Sequence, residues 1–195
     1  TLLAVGHGSS PYLTVYSLPS WTKVTLGYTP TGLCHGVSFS SNGTYLAVAC
    51  QASPYIILYN TSNWSRVTSI TSPSGSAYAV DFSPNNEFLA VAHNGTPCLS
   101  IYSVSNLTKL SLPSINSTLG NGSAVRFSPD SKRVAVGYNT APYFSVYDLF
   151  LNTTLYATPK PAGNYFNGEV LGIAYSPDGK LLAASNGSLV IMDAS

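Results

Sequence analysis

Apolar and polar positions alternate along this chain in short runs separated by Gly, Pro, Asn and Asp, with no stretch repeating at helical spacing, so the pattern predicts strands throughout. Four of the runs are near-copies of one another: VSFSSNGTYLAVA from Val37, VDFSPNNEFLAVA from Val80, VRFSPDSKRVAVG from Val125 and IAYSPDGKLLAAS from Ile173. Their aromatic anchors Phe39, Phe82, Phe127 and Tyr175 lie 43, 45 and 48 residues apart.

A repeat of this length built from several short strands is how the blades of a β-propeller read in sequence. Each unit divides into four strands. The first is V-x-F-S and the second L-A-V-A. Between them Ser41-Asn42-Gly43, Pro84-Asn85-Asn86, Pro129-Asp130-Ser131 and Pro177-Asp178-Gly179 supply the residues a tight hairpin needs. A loop ending in Pro-Tyr or its equivalent then leads to a third strand, LTVYS, IILYN, LSIYS or FSVYD. The fourth, as in WTKVTL and WSRVTS, is shorter and more polar, as suits the exposed edge of a sheet.

The F-S-P-D-G and P-Y-x-x-V-Y grammar resembles WD40-like β-propeller repeats in the diverged form found in tandem in phage tail, other virion and bacterial surface proteins. The resemblance covers nearly all 195 residues. Two family marks are missing, because no Trp-Asp closes a third strand and no Gly-His precedes a first one. The expected fold is all-β, with about four to five four-stranded blades forming one repeat domain over 1–195: a partial blade at 1–27, blades at 33–71, 77–113 and 122–158, and a partial blade at 169–195. That layout gives 18 strands, grouped three, four, four, four and three. Thr1–Val5 aligns with a second strand and Leu189–Asp193 with a third. Both edges are therefore expected to be covered by neighbours, either flanking domains of the same polypeptide or other copies, rather than left open in a closed monomer.

Charge changes the functional picture. Asp, Glu, Lys and Arg make up 8% of the chain and the net charge is +1, where about 25% is usual. Without a basic cluster there is nothing to hold a phosphate backbone, which argues against nucleic acid as a partner. No run is apolar and long enough for a membrane span. Hydrophilicity must come from hydroxyls and amides instead. Asn42, Asn60, Asn63, Asn94, Asn106, Asn116, Asn121, Asn152 and Asn186 each begin an N-x-[ST] triplet without Pro, nine in all, where random placement would give about three. These Asn are candidate glycosylation sites; the alternative is that they are simply good turn sequences.

Three cysteines form no metal-ligand spacing. With a three-residue loop at Ser41-Asn42-Gly43, Ser40 pairs with Thr44 and residues whose numbers sum to 84 lie opposite, among them Phe39 with Tyr45 and Cys34 with Cys50. A Cys34–Cys50 bridge is then feasible, leaving Cys98 free; two buried thiols are the alternative. His7, Cys50 and His93 share one slot after the second strand, but successive blades are about 10 Å apart, too far for three side chains to reach one metal ion. Metal and cofactor sites are not expected, and neither is a catalytic nucleophile, since no G-x-S-x-G elbow is present. Tyr12, Tyr55 and Tyr143 recur after Pro or in its register, and the non-recurring Tyr165 and Phe166 share their face of the propeller, so all five are interaction candidates. Asp81 and Arg126 precede the anchors of adjacent blades and are expected to pair. The functional expectation is a non-enzymatic structural or adhesive module of a virion, extracellular filament or cell surface. A ligand- or glycan-binding propeller and a lactonase-like enzyme are the alternatives.

Overall fold

The computed structural model describes residues 1–111, 120–150, 153–156 and 168–194, with 153–156 described as backbone alone. Among them every regular element is a strand, and no helix is long and apolar enough to cross a membrane. Five antiparallel sheets follow one another along the chain. The first holds β1 (Leu2–Gly6), β2 (Leu13–Ser17) and β3 (Thr22–Lys23); the second holds β4 (Cys34–Phe39), β5 (Tyr45–Cys50), β6 (Ile56–Asn60) and β7 (Arg66–Val67). The third comprises β8 (Ala77–Phe82), β9 (Phe88–His93) and β10 (Leu99–Ser103), and the fourth β11 (Gly122–Phe127), β12 (Arg133–Tyr138), β13 (Phe144–Asp148) and β14 (Thr153–Tyr156). The fifth is β15 (Gly172–Tyr175), β16 (Leu181–Ser185) and β17 (Leu189–Asp193). Within each sheet the strands pair in sequence order, and the inner strands β4, β8, β11 and β15 lie next to one another in turn. These are propeller blades.

The third blade departs from the predicted four strands. Its outer segment makes a single bridge between Tyr102 and Lys109, with backbone bonds from Ser103 N to Thr108 O and Leu110 N to Ile101 O, so the described chain has 17 strands and not 18. At the two ends β1 pairs with β2 and β17 with β16; the described residues supply no strand on the other side of either.

The L-A-V-A strands explain how the blades stack. Both faces of the middle strands β5, β9 and β12 are buried, but successive side chains point to opposite faces. Leu46 and Val48 pack with Leu13 and Val15 of the preceding blade, whereas Ala47 and Ala49 receive Val80, Phe82 and Leu89 of the following one. One blade on, Leu89 and Val91 face back and Ala90 and Ala92 face forward, against Val125 and Phe127. Large residues thus fill the space that alanines leave on the neighbouring sheet, which is how facing layers reach close packing.

The hairpin between inner and middle strands is longer than the sequence suggests. Ser40 N donates to Tyr45 O at 2.9 Å, which places four residues in the loop and gives pairs that sum to 85, such as Phe39 with Leu46 and Val37 with Val48. The cause is a side-chain network repeated in every complete turn. Ser40 Oγ donates to Asn42 Oδ1 (2.8 Å) and accepts from Tyr45 N (2.9 Å), while Thr44 N donates to the same Asn42 oxygen (3.0 Å). Ser83 with Asn85, Ser128 with Asp130 and Ser176 with Asp178 reproduce these bonds. The third turn residue has positive φ, 72° at Gly43, 60° at Asn86, 63° at Ser131 and 73° at Gly179, a conformation that Gly adopts without strain and Asn more readily than most.

Candidate interaction site at the inner strand edge

The register correction brings the cysteines together by a different route from the one the loop length implies. A β-bulge between Cys34 and Gly36 shifts the pairing by one residue, so Cys34 lies opposite Cys50 although Gly36 already faces Ala49. The two sulfurs are bonded, with Cα atoms 4.1 Å apart. Cys98 is a buried free thiol, and burial pushes its pKa up to about 11. The bulge recurs between Ala77 and Ala79 and between Gly122 and Ala124. At the first of these positions the extra residues His35 and Tyr78 meet across the blade boundary with ring centroids 5.4 Å apart. Close approach explains Gly36, since a Cβ there would stand 3.0 Å from Ala79 Cα.

The shared slot after the middle strand is used differently in each blade. His7 Nε2 bonds Thr14 Oγ1 at 3.1 Å, Cys50 is in the disulfide, and His93 is fully buried. Gly95 N donates to His93 Nδ1 (3.1 Å), which leaves the proton on Nε2 to be donated to Ser100 Oγ (2.8 Å). Burial, helped by the charge of Lys109, holds its pKa down at about 4. Tyr138, in the same slot, shares a 2.9 Å hydrogen bond with Tyr147, hydroxyl to hydroxyl.

Tyr12, Tyr55 and Tyr143 are half-buried and packed against the blade cores. Tyr165 and Phe166 lie outside the described residues, as do Asn116 and Asn152. Of the other N-x-[ST] asparagines, Asn42, Asn63, Asn94, Asn106 and Asn121 are exposed and Asn60 is half-exposed. Asn60, Asn63 and Asn106 each accept through Oδ1 from both the N–H and the hydroxyl of the residue two further on, which turns the amide nitrogen away from the loop. Asn186 differs from these: the residue is half-exposed but its Nδ2 is buried.

Asp81 and Arg126 stand at the inner edge, where a polar relay crosses the blades. Phe82 N donates to Ser38 Oγ at 3.2 Å, and one blade later Phe127 N donates to Asp81 Oδ2 at 2.8 Å. Arg126 Nη1 donates to Asp81 Oδ1 at 2.9 Å. The carboxylate is 8% exposed and the guanidinium side chain 51%, so a buried anion holds a cation that reaches solvent. Burial raises the Asp81 pKa, opposed by Arg126, the Phe127 N–H and Ser38. The pair borders a cleft of about 440 Å³ whose walls include Phe82, Pro84, Pro129, Ala174 and Pro177.

The sequence has no match among curated proteins. Residues 160–193 match the family described as WD domain, G-beta repeat. Among solved structures, the chain is similar to the Kuenenia stuttgartiensis hydrazine synthase, with a TM-score of 0.71 and 14% identity over 89% of this chain. It spans about half of that chain, 49%, and at this identity the likeness concerns the fold. The repeats and the stacked three- and four-stranded sheets make this chain an array of β-propeller blades, with a WD repeat matched at residues 160–193.

Proposed function

We propose that the chain is a non-enzymatic protein-interaction module, structural or adhesive, displayed on a virion, an extracellular filament or a cell surface. The observation that carries this reading is the division of labour among polar groups. Inside the blades several of them bond one another, as in His93–Ser100 and Tyr138–Tyr147, while the turns present an exposed, nearly uncharged layer of Asn, Ser and Thr. Such a layer keeps a protein hydrated without charge, and it carries the accessible acceptor asparagines Asn42, Asn60, Asn63, Asn94, Asn106 and Asn121. Partners in this reading are neighbouring copies or flanking domains, with glycans on the outer surface. Antibody labelling of intact particles or cells from the natural source tests it, combined with the mass of the recovered chain before and after enzymatic deglycosylation. Labelling of the intact surface is expected; labelling only after lysis would overturn the reading.

A glycan-binding role is favoured by one feature, the exposed His35 ring set against Tyr78 at 44°. Aromatic faces of this kind stack on sugar rings. Loss of binding on a glycan array after Tyr78→Ala would separate this reading from the first.

A further inference from the structure

We propose that the cleft beside Arg126 is a binding site for a single carboxylate carried on an extended segment of a partner protein. This rests on the interaction reading above. It begins with the relay along the inner strands, where blade after blade presents a side chain to the next: Ser38 to Phe82 N, then Asp81 to Phe127 N. The next residue in the series is Arg126, which can only donate, and the equivalent position on the fifth blade, also lining the cleft, is the small, exposed Ala174. The relay therefore changes sign and ends on a half-exposed cation that lines the cleft.

Arg126 uses Nη1 to bind Asp81, and no other hydrogen bond or ion pair engages its guanidinium among the described residues. The planar fork still offers donors to a carboxylate in the cleft, the geometry for which arginine is best suited. Asp81 also fixes the fork in place, so little side-chain freedom is lost on binding. It limits the charge of the ligand as well. A carboxylate 2.9 Å from the guanidinium cancels much of its positive potential, which disfavours a phosphate dianion and leaves a monoanion as the matching charge. The walls select further. Pro84, Pro129 and Pro177 with the edges of Phe82 and Phe127 offer apolar surface to the stem of a Glu or to the last residue of a chain, and a cleft of about 440 Å³ accommodates one or two residues, not a folded domain.

The test is a titration of the full chain, ¹⁵N-labelled, with N-acetyl-glutamate α-amide, which carries one carboxylate. Saturable shifts are expected at Arg126 Nε–Hε and at the Ala174 and Ser176 amides. N-acetyl-glutamine amide and inorganic phosphate are expected to act at least fivefold more weakly. Two variants are decisive. Arg126→Gln keeps a donor for Asp81 but removes the charge, and Ala174→Glu leaves the Asp81–Arg126 pair untouched while placing a built-in carboxylate in the cleft. Both should lose the shifts, and should Arg126→Gln fold poorly, Ala174→Glu alone decides. An equal response to the glutamine amide, a stronger one to phosphate, or undiminished binding by Ala174→Glu would overturn the site. Surface labelling of intact particles reports separately on the interaction reading, so either proposal can fail without the other.

Discussion

Asp81 spans two blades: one carboxylate oxygen takes the Arg126 guanidinium at 2.9 Å and the other takes the Phe127 backbone N–H at 2.8 Å. Both partners belong to the fourth blade, while the carboxyl itself sits at the inner edge of the third. Asp81→Ala therefore leaves a buried N–H without an acceptor and a guanidinium without its anion. The expected loss is about 2–4 kcal/mol of unfolding free energy, measured by urea denaturation. A loss below about 1 kcal/mol would mean that water replaces the carboxylate at little cost.

Acid should weaken the fold through His93. Its folded pKa of about 4 lies below the ordinary histidine value of 6.5, so the native state favours the neutral ring. That contribution is fully present above 6.5, declines as the pH falls and levels off below the folded value; over the whole window it amounts to about 3 kcal/mol. Protonation would also put an N–H on Nδ1 against the Gly95 N–H that now donates to it. Removing this titration with His93→Gln should flatten stability against pH between 6.5 and 4, and a wild-type curve already flat there would refute the assignment.

Thiol counting separates the cysteines. Under non-reducing conditions the folded chain should resist iodoacetamide, because Cys98 is 3% exposed and its thiol is pushed up to about 11. Denaturation without reductant should expose one reactive thiol, seen as a single added adduct in the intact mass. Three adducts would show that Cys34 and Cys50 are not bridged.

Overpacking the forward face should be costly. Ala90 is fully buried between the third and fourth blades, so Ala90→Leu is expected to destabilise by about 1–3 kcal/mol. Leu89→Ala at the adjacent position, facing the other way, should instead open a cavity and cost about 2–5 kcal/mol. Thermal unfolding of the two variants checks both values. A neutral Ala90→Leu would mean that the blades slide apart without penalty.

Strand identity was largely legible in the sequence, because the third strands begin and end where LTVYS, IILYN, LSIYS and FSVYD do. The register was not. Turn composition suggested a three-residue loop at Ser41-Asn42-Gly43, but the Ser40–Asn42 hydrogen bond holds a wider four-residue loop closed, and nothing in the residue spacing distinguishes the two. The Cys34–Cys50 pairing then depends on a bulge that sequence reading did not anticipate; two one-residue shifts cancel. Equivalence between blades placed Asp81 and Arg126 at matching positions, because repeats transmit position faithfully. The same logic could not say whether Tyr12, Tyr55 and Tyr143 face outward, since a residue that recurs serves the blade as readily as a ligand. The fourth strand of the third blade was overestimated because edge pairing there depends on tertiary context more than on composition.

The alternation of large and small residues in the middle strands gives every blade a plug side and a socket side. Tandem duplication of one repeat therefore yields a unit whose two faces already match both of its neighbours, and it can enter the array at any boundary without compensating change. An inverted unit would set plug against plug. The array thus has a direction, and it can lengthen or shorten by whole repeats during descent while its interfaces keep one chemistry.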